Sequence, residues 1–163
     1  MIALKRVLVP HDFSETSTAA VTYAVGMARN FGASVTFLYV ADRAHADTAG
    51  ELVVDADGQV TGSVRDAMLR SLGPADVTAV TPSFYAQAGT PADEIVRFAR
   101  EHEIDLIVMG THGRGFVGHL LMGSVAEKVV RTAPCPVLTV RNPHAAEGLE
   151  VVADAAEAAR AAV

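Results

Sequence analysis

A chain of 163 residues with 50% hydrophobic and 20% charged side chains is long enough to bury one core, and its composition is that of an ordinary globular domain. The net charge of -6 argues against a general nucleic-acid binder, which needs basic patches against the phosphate backbone, but a single nucleotide can be held by a few backbone donors. Cys135 is the single cysteine, so no internal disulfide can form, and no apolar run approaches the ~20 residues of a membrane span. The opening Met1-Ile-Ala-Leu-Lys-Arg6 has no signal-peptide layout, so the expectation is a cytoplasmic protein.

Strands and helices alternate along the chain. A first strand covers Arg6–Pro10. Ser14 or a near neighbour caps the first helix, whose inner face is Ala20, Val21, Ala24, Val25, Ala28 and Phe31 and whose end is marked by Gly32. A second strand covers 34–40. A long polar insertion follows at 42–61; Asp57-Gly58 between Val53-Val54 and Val60 leaves a surface loop and a small hairpin both open. Ser63 and Asp66 suggest a capping box for the second helix, with Val64, Ala67, Met68 and Leu72 inward and Gly73-Pro74 as its stop. After a third strand at 83–88, Thr90 as cap, Pro91 at the first helical position and Asp93 as reciprocal partner open the third helix, with Ile95, Phe98 and Ala99 buried. A fourth strand at 104–109, a fourth helix from Val125 to Arg131 and a last strand at 136–141 complete the pattern. From Asn142 the chain is alanine-rich, and its periodicity fits a short helix and a frayed tail equally.

Five strands separated by helices predict an α/β fold with a parallel sheet covered on both faces. The most telling stretch leaves the fourth strand as Gly110-Thr-His-Gly113 and, nine residues later, enters a helix through Gly123-Ser124. Glycine lets backbone N–H groups approach a ligand, and a helix start adds unpaired donors and a dipole that favours anions. That combination suits a phosphate. Two other motifs fail. Gly113-Arg-Gly115-Phe-Val-Gly118 fits the dinucleotide fingerprint but follows the fourth strand instead of the first, with no acidic residue on the next strand. No Gly-Lys-Ser/Thr run exists for a Walker A loop.

Gly110, Gly113, Gly123 and Ser124, at this spacing, resemble the nucleotide-binding branch of the universal stress protein family. So do Val7-Leu-Val-Pro10-His-Asp12-Phe-Ser14, Gly89-Thr-Pro-Ala-Asp-Glu-Ile95, Asp105 to Arg114 and Ala133-Pro-Cys-Pro-Val-Leu-Thr-Val140, in order. The resemblance covers roughly residues 4–141. It implies a family domain over 1–141 with 142–163 as a tail, and a single open five-stranded parallel sheet of order 3-2-1-4-5, Rossmann-like and of the adenine nucleotide alpha hydrolase type. In such a sheet the ligand crevice opens where strand order reverses, between strands one and four.

The resemblance further implies a site built from Pro10, His11, Asp12, Val40, Met109, Gly110, His112, Gly113, Arg114, Gly123, Ser124 and Val125. Asp12 falls on the adenine–ribose side, Val40 and Met109 beside the base, and the glycine loop on the phosphates. Each has a plainer alternative: Asp12 as an N-cap, Met109 as core, Ser124 as a capping box with Glu127, Arg114 pointing to solvent. His11 and His112 would sit on adjacent strand ends, either against a phosphate or metal or merely solvated. No metal ligand set is assigned. Cys135 has no surroundings that would activate it.

The expected function is a homodimer, paired through Val137–Val140, that holds ATP, or AMP or another adenine nucleotide, with Mg²⁺ as a companion ion, and acts as a stress-response sensor or regulator. Fast phosphoryl transfer would need metal ligands and a cationic clamp, and the loop supplies at most one arginine, so at most slow hydrolysis is expected. The alternative is a family member that binds no nucleotide and acts through dimer or partner surfaces.

Overall fold

The computed structural model describes residues 3–42, 53–54, 59–112 and 122–141. Its first elements are β1 (Arg6–Pro10), α1 (Glu15–Phe31) and β2 (Ser34–Asp42), followed by the short strands β3 (Val53–Val54) and β4 (Val60–Thr61). Then come α2 (Ser63–Leu69), α3 (Pro74–Val80), β5 (Ser83–Gly89), α4 (Pro91–Glu101), β6 (Leu106–Gly110), α5 (Ser124–Thr132) and β7 (Val137–Val140). The main sheet runs β5-β2-β1-β6-β7 with every neighbouring pair parallel. With the small hairpin set aside, this is the 3-2-1-4-5 order that the resemblance implied.

Residues 7–10 of β1 and 106–109 of β6 are unbroken apolar runs, as a sheet covered on both faces requires, while β2 carries Thr36 in its interior. The period of two still sorts the side chains. Val7, Val9, Val35, Phe37 and Val108 face one core, shared with Ala20, Ala24 and Ala28 of α1, Met68 of α2 and Val80 of α3. Leu8, Leu38, Ile107 and Met109 face the other, shared with Ile95, Phe98 and Ala99 of α4 and Ala126 and Val129 of α5. The small residues of α1 let that helix lie close to β1 and β6. At ~25 cal/mol per Å² of apolar surface, burial of this kind dominates the stability of such a layered fold.

Local signals were right about position more often than about chemistry. Ser14 caps α1, its side chain accepting from the Ser17 amide, and Gly32 closes the helix in the left-handed region at φ 67. Phe31 is a correction: it falls on the inner side of the helical wheel but is 56% exposed. It is the last residue of α1, one turn past Ala28, whose carbonyl already accepts from Ala33 as the chain turns back. Periodicity gives a direction, not whether sheet remains underneath.

Three proposed capping boxes do not form. In α2 the cap is Gly62, at φ 72, and Ser63 is already helical. Thr90 caps α4 without a side-chain bond, and Asp93 instead pairs with Lys128 of α5 at 2.6 Å. Gly123 caps α5, displacing Ser124 into the first turn. Gly73-Pro74 does not end the second helix, which stops at Leu69; it opens α3, with the Asp76 carboxylate accepting from the Gly73 amide at 3.3 Å. Proline at a first helical position was the better interpretation of that pair.

In the insertion the hairpin is realised. Val53 pairs with Thr61 and Val54 with Val60, antiparallel. Gln59 bridges antiparallel to Tyr85, so the hairpin sits against the β5 edge of the sheet. Asp57 and Gly58, and the alanine-rich segment 142–163, lie outside the described residues. Among the described residues no helix is long and apolar enough to cross a membrane.

Candidate functional site

From β1 the chain crosses into α1 on one face of the sheet, and from β6 it proceeds to α5 on the other. The two strands are neighbours, so their carboxyl ends bound the crevice where an open α/β sheet takes its ligand.

On the β1 side, Pro10 ends the strand and the His11 amide donates to the Leu38 carbonyl at 2.9 Å. The His11 ring is buried, edge-on to Phe13 with centroids 5.0 Å apart and to Phe37 at 6.4 Å. Its Nδ1 accepts from the Phe13 amide at 3.2 Å. Phe13 itself sits at φ 65, a costly conformation for an aromatic residue, in the tight turn that aims Asp12 and Ser14. Asp12 is not the N-cap. Its Oδ1 accepts from the Ser14 amide at 3.1 Å and from Ser14 Oγ at 2.6 Å, so it braces the residue that is.

On the β6 side, Met109 is buried in the second core, with Val40 and Val125 half-buried against it. Gly110 follows. A Cβ there would lie 2.8 Å from the Thr16 carbonyl carbon, so glycine is what lets α1 pass this close to β6. Thr111 is buried, its amide donating to the Val140 carbonyl at 2.9 Å and its hydroxyl to the same oxygen at 3.2 Å. The His112 Nδ1 lies 3.0 Å from Thr111 Oγ1.

The loop returns at Gly123, whose amide donates to the Thr111 carbonyl at 2.7 Å. A Cβ at Gly123 would approach that carbonyl to 3.1 Å. Ser124 is exposed at the start of α5. The first intrahelical bond of α5 runs from the Glu127 amide to the Gly123 carbonyl, and no side chain among the described residues caps the amides before it. An uncapped helix start leaves its first amides to be met by water or by an anion.

Pro10, His11, Asp12, Gly110, His112, Gly123, Ser124 and Val125 thus lie at or just past the carboxyl ends of β1 and β6 and at the start of α5, with Val40 on β2 and Met109 on β6. Gly113 and Arg114 lie outside the described residues. Among the described residues no cluster of three or more His, Cys, Asp or Glu is placed to hold a metal ion, and His11 and His112 each engage their own neighbours. Cys135 is half-buried; burial, and then the Asp105 carboxylate, push its thiol up, in keeping with an unreactive side chain. Sequence reasoning missed Thr16 and Thr111. Neither carries a spacing signature: Thr16 matters because packing brings α1 beneath the end of β6, and Thr111 because Val140 of β7 and Gly123 close on it.

The profile of the universal stress protein family matches residues 3–141. The chain belongs to that family. A universal stress protein of Methanocaldococcus jannaschii is 35% identical over 147 residues, covering 85% of this chain and 83% of its own length. The universal stress protein UspA from Lactobacillus plantarum superposes with a TM-score of 0.62 at 29% identity, over 86% of this chain and all of that one (100%). Another universal stress protein, crystallised in complex with cAMP, superposes with a TM-score of 0.62 at 24% identity, over 86% of this chain and 98% of its own, a likeness of fold.

Proposed function

We propose that this universal stress protein binds an adenine nucleotide, ATP before AMP or a cyclic nucleotide, in the crevice between β1 and β6. The observation that carries the proposal is the start of α5: glycine at the cap, no side chain capping the first amides among the described residues, and a position at the switch point of the sheet. The contrast with α1 sharpens it. There Ser14 already takes one of the first amides, that of Ser17, whereas at α5 no side chain among the described residues takes any. A family member of the same fold complexed with cAMP supports the ligand class.

Asp12 takes the ribose side, Val40 and Met109 the base, and the backbone of Gly110, Gly113 and Gly123 with Ser124, Val125, His112 and Arg114 the phosphates. Mg²⁺ accompanies a triphosphate. The protein works as a cytoplasmic, dimeric, stress-linked sensor or regulator, and any hydrolysis stays well below ~1 s⁻¹, the low end of enzyme turnover.

Calorimetric titration with ATP and Mg²⁺, repeated on Gly123→Val, tests the binding. Wild type should show saturable binding that the valine abolishes, with the circular dichroism spectrum kept. No binding by wild type at millimolar ATP would overturn the nucleotide reading and turn attention to dimer and partner surfaces.

A further inference from the structure

The glycine loop is anchored at its neck by groups that the nucleotide motif does not include. At one side the Gly123 amide donates to the Thr111 carbonyl at 2.7 Å, and Thr111 is itself tied to Val140 of β7. At the other, the His112 carbonyl faces α1, where two hydroxyls come near it. Ser14 Oγ lies 3.5 Å away, while Thr16 Oγ1 donates to it directly. A hydroxyl has one proton to give. That of Ser14 goes to Asp12 Oδ1 at 2.6 Å, a charge-assisted bond, so of the two it is Thr16 that holds His112. Gly110 makes room for this, because any Cβ there would strike Thr16.

We propose that Thr16 is a positioning residue for the phosphate side of the site. It binds no ligand itself. Its hydroxyl fixes the His112 carbonyl, and with it the exit of the glycine loop from β6, at a set distance from the turn that carries Asp12. The Asp12–Ser14 pair and the Thr16–His112 bond stand two residues apart on one helix start, so the ribose-side carboxylate and the phosphate-side loop share a single rigid brace. This explains why the first glycine of the loop is needed for protein packing as well as for any ligand. The inference rests on the nucleotide reading above.

The test uses Thr16→Val, which keeps the shape and removes the hydroxyl, with Thr16→Ala as a smaller second variant and Thr16→Ser as the rescue. Affinities for ATP with Mg²⁺ and for adenosine are measured by calorimetry, alongside thermal unfolding. A lost hydrogen bond on the loop neck should weaken ATP about five- to tenfold. Adenosine, which has no phosphate, should stay within about twofold of wild type, and Thr16→Ser should restore ATP binding. A merely structural role would lower both affinities by the same factor, and that result overturns the proposal. So does ATP binding unchanged in both the valine and alanine variants, or failure of both variants to fold, which would make Thr16 a requirement of the fold. Absence of ATP binding by wild type is the separate outcome that removes the nucleotide reading itself.

Discussion

Three glycines of this chain illustrate different physical needs. Gly32 is needed for its backbone angle: φ is 67 and a Cβ would meet open space. Gly123 is needed for a near approach: an added Cβ would lie 3.1 Å from the carbonyl that its own amide is bonded to. Gly110 is needed for clearance against another element, and here the consequence can be measured. Gly110→Ala places a methyl 2.8 Å from the backbone of Thr16, which cannot move without shifting α1. Overpacking of this kind should cost about 1–3 kcal/mol in urea unfolding. A cost near zero would mean that α1 and β6 are looser than the Thr16–His112 bond implies. Sequence spacing could not separate these needs, because each is simply glycine in the text of the chain.

Among the elements, helix ends show what local sequence controls. Ser14 and Gly32 frame α1 as their residue types predict, since both act on the backbone within a few residues. Gly32→Ala should therefore destabilise by about 1 kcal/mol, the cost of a left-handed Cβ, with no contribution from clashes. Thermal or urea unfolding would read this, and a loss above about 3 kcal/mol would point to a packing role that the open surroundings deny. The boxes at Ser63, Thr90 and Ser124 failed for two reasons, one tertiary and one local. Asp93 is drawn to Lys128 across the α4–α5 contact, and glycine takes the cap position before both Ser63 and Ser124. A capping side chain competes with every other partner that tertiary structure supplies.

At the scale of the whole molecule, the two edges of the sheet differ. The β5 edge has the β3–β4 hairpin against it through the Gln59–Tyr85 bridge. The β7 edge holds Val137, Leu138 and Val140 in a strand whose other side pairs with β6. Pro136 and Val140 direct their carbonyls toward Ile107 of β6 and Thr111 just past its end, so by alternation the backbone N–H and C=O of Thr139 face away from β6. If dimers form through this edge, Thr139→Pro removes an outward N–H while sparing the ladder to β6. Light scattering should then show wild type at twice the monomer mass and the variant as a folded monomer; a variant that stays dimeric would move the interface elsewhere. The sequence by itself determined the alternation of strands and helices, the α/β class, the central strands and the glycine loop, because apolar periodicity and backbone freedom are properties of neighbouring residues. The strand order and the crevice were legible through the resemblance, and the family match and the parallel sheet agree with it. Only the tertiary structure decided which hydroxyl reaches which carbonyl, that Phe31 overhangs into solvent, that the β3–β4 hairpin lies against β5, and that Gly110 makes way for Thr16. Those are contacts between segments distant in the chain, and no spacing along the chain encodes a distance across the fold.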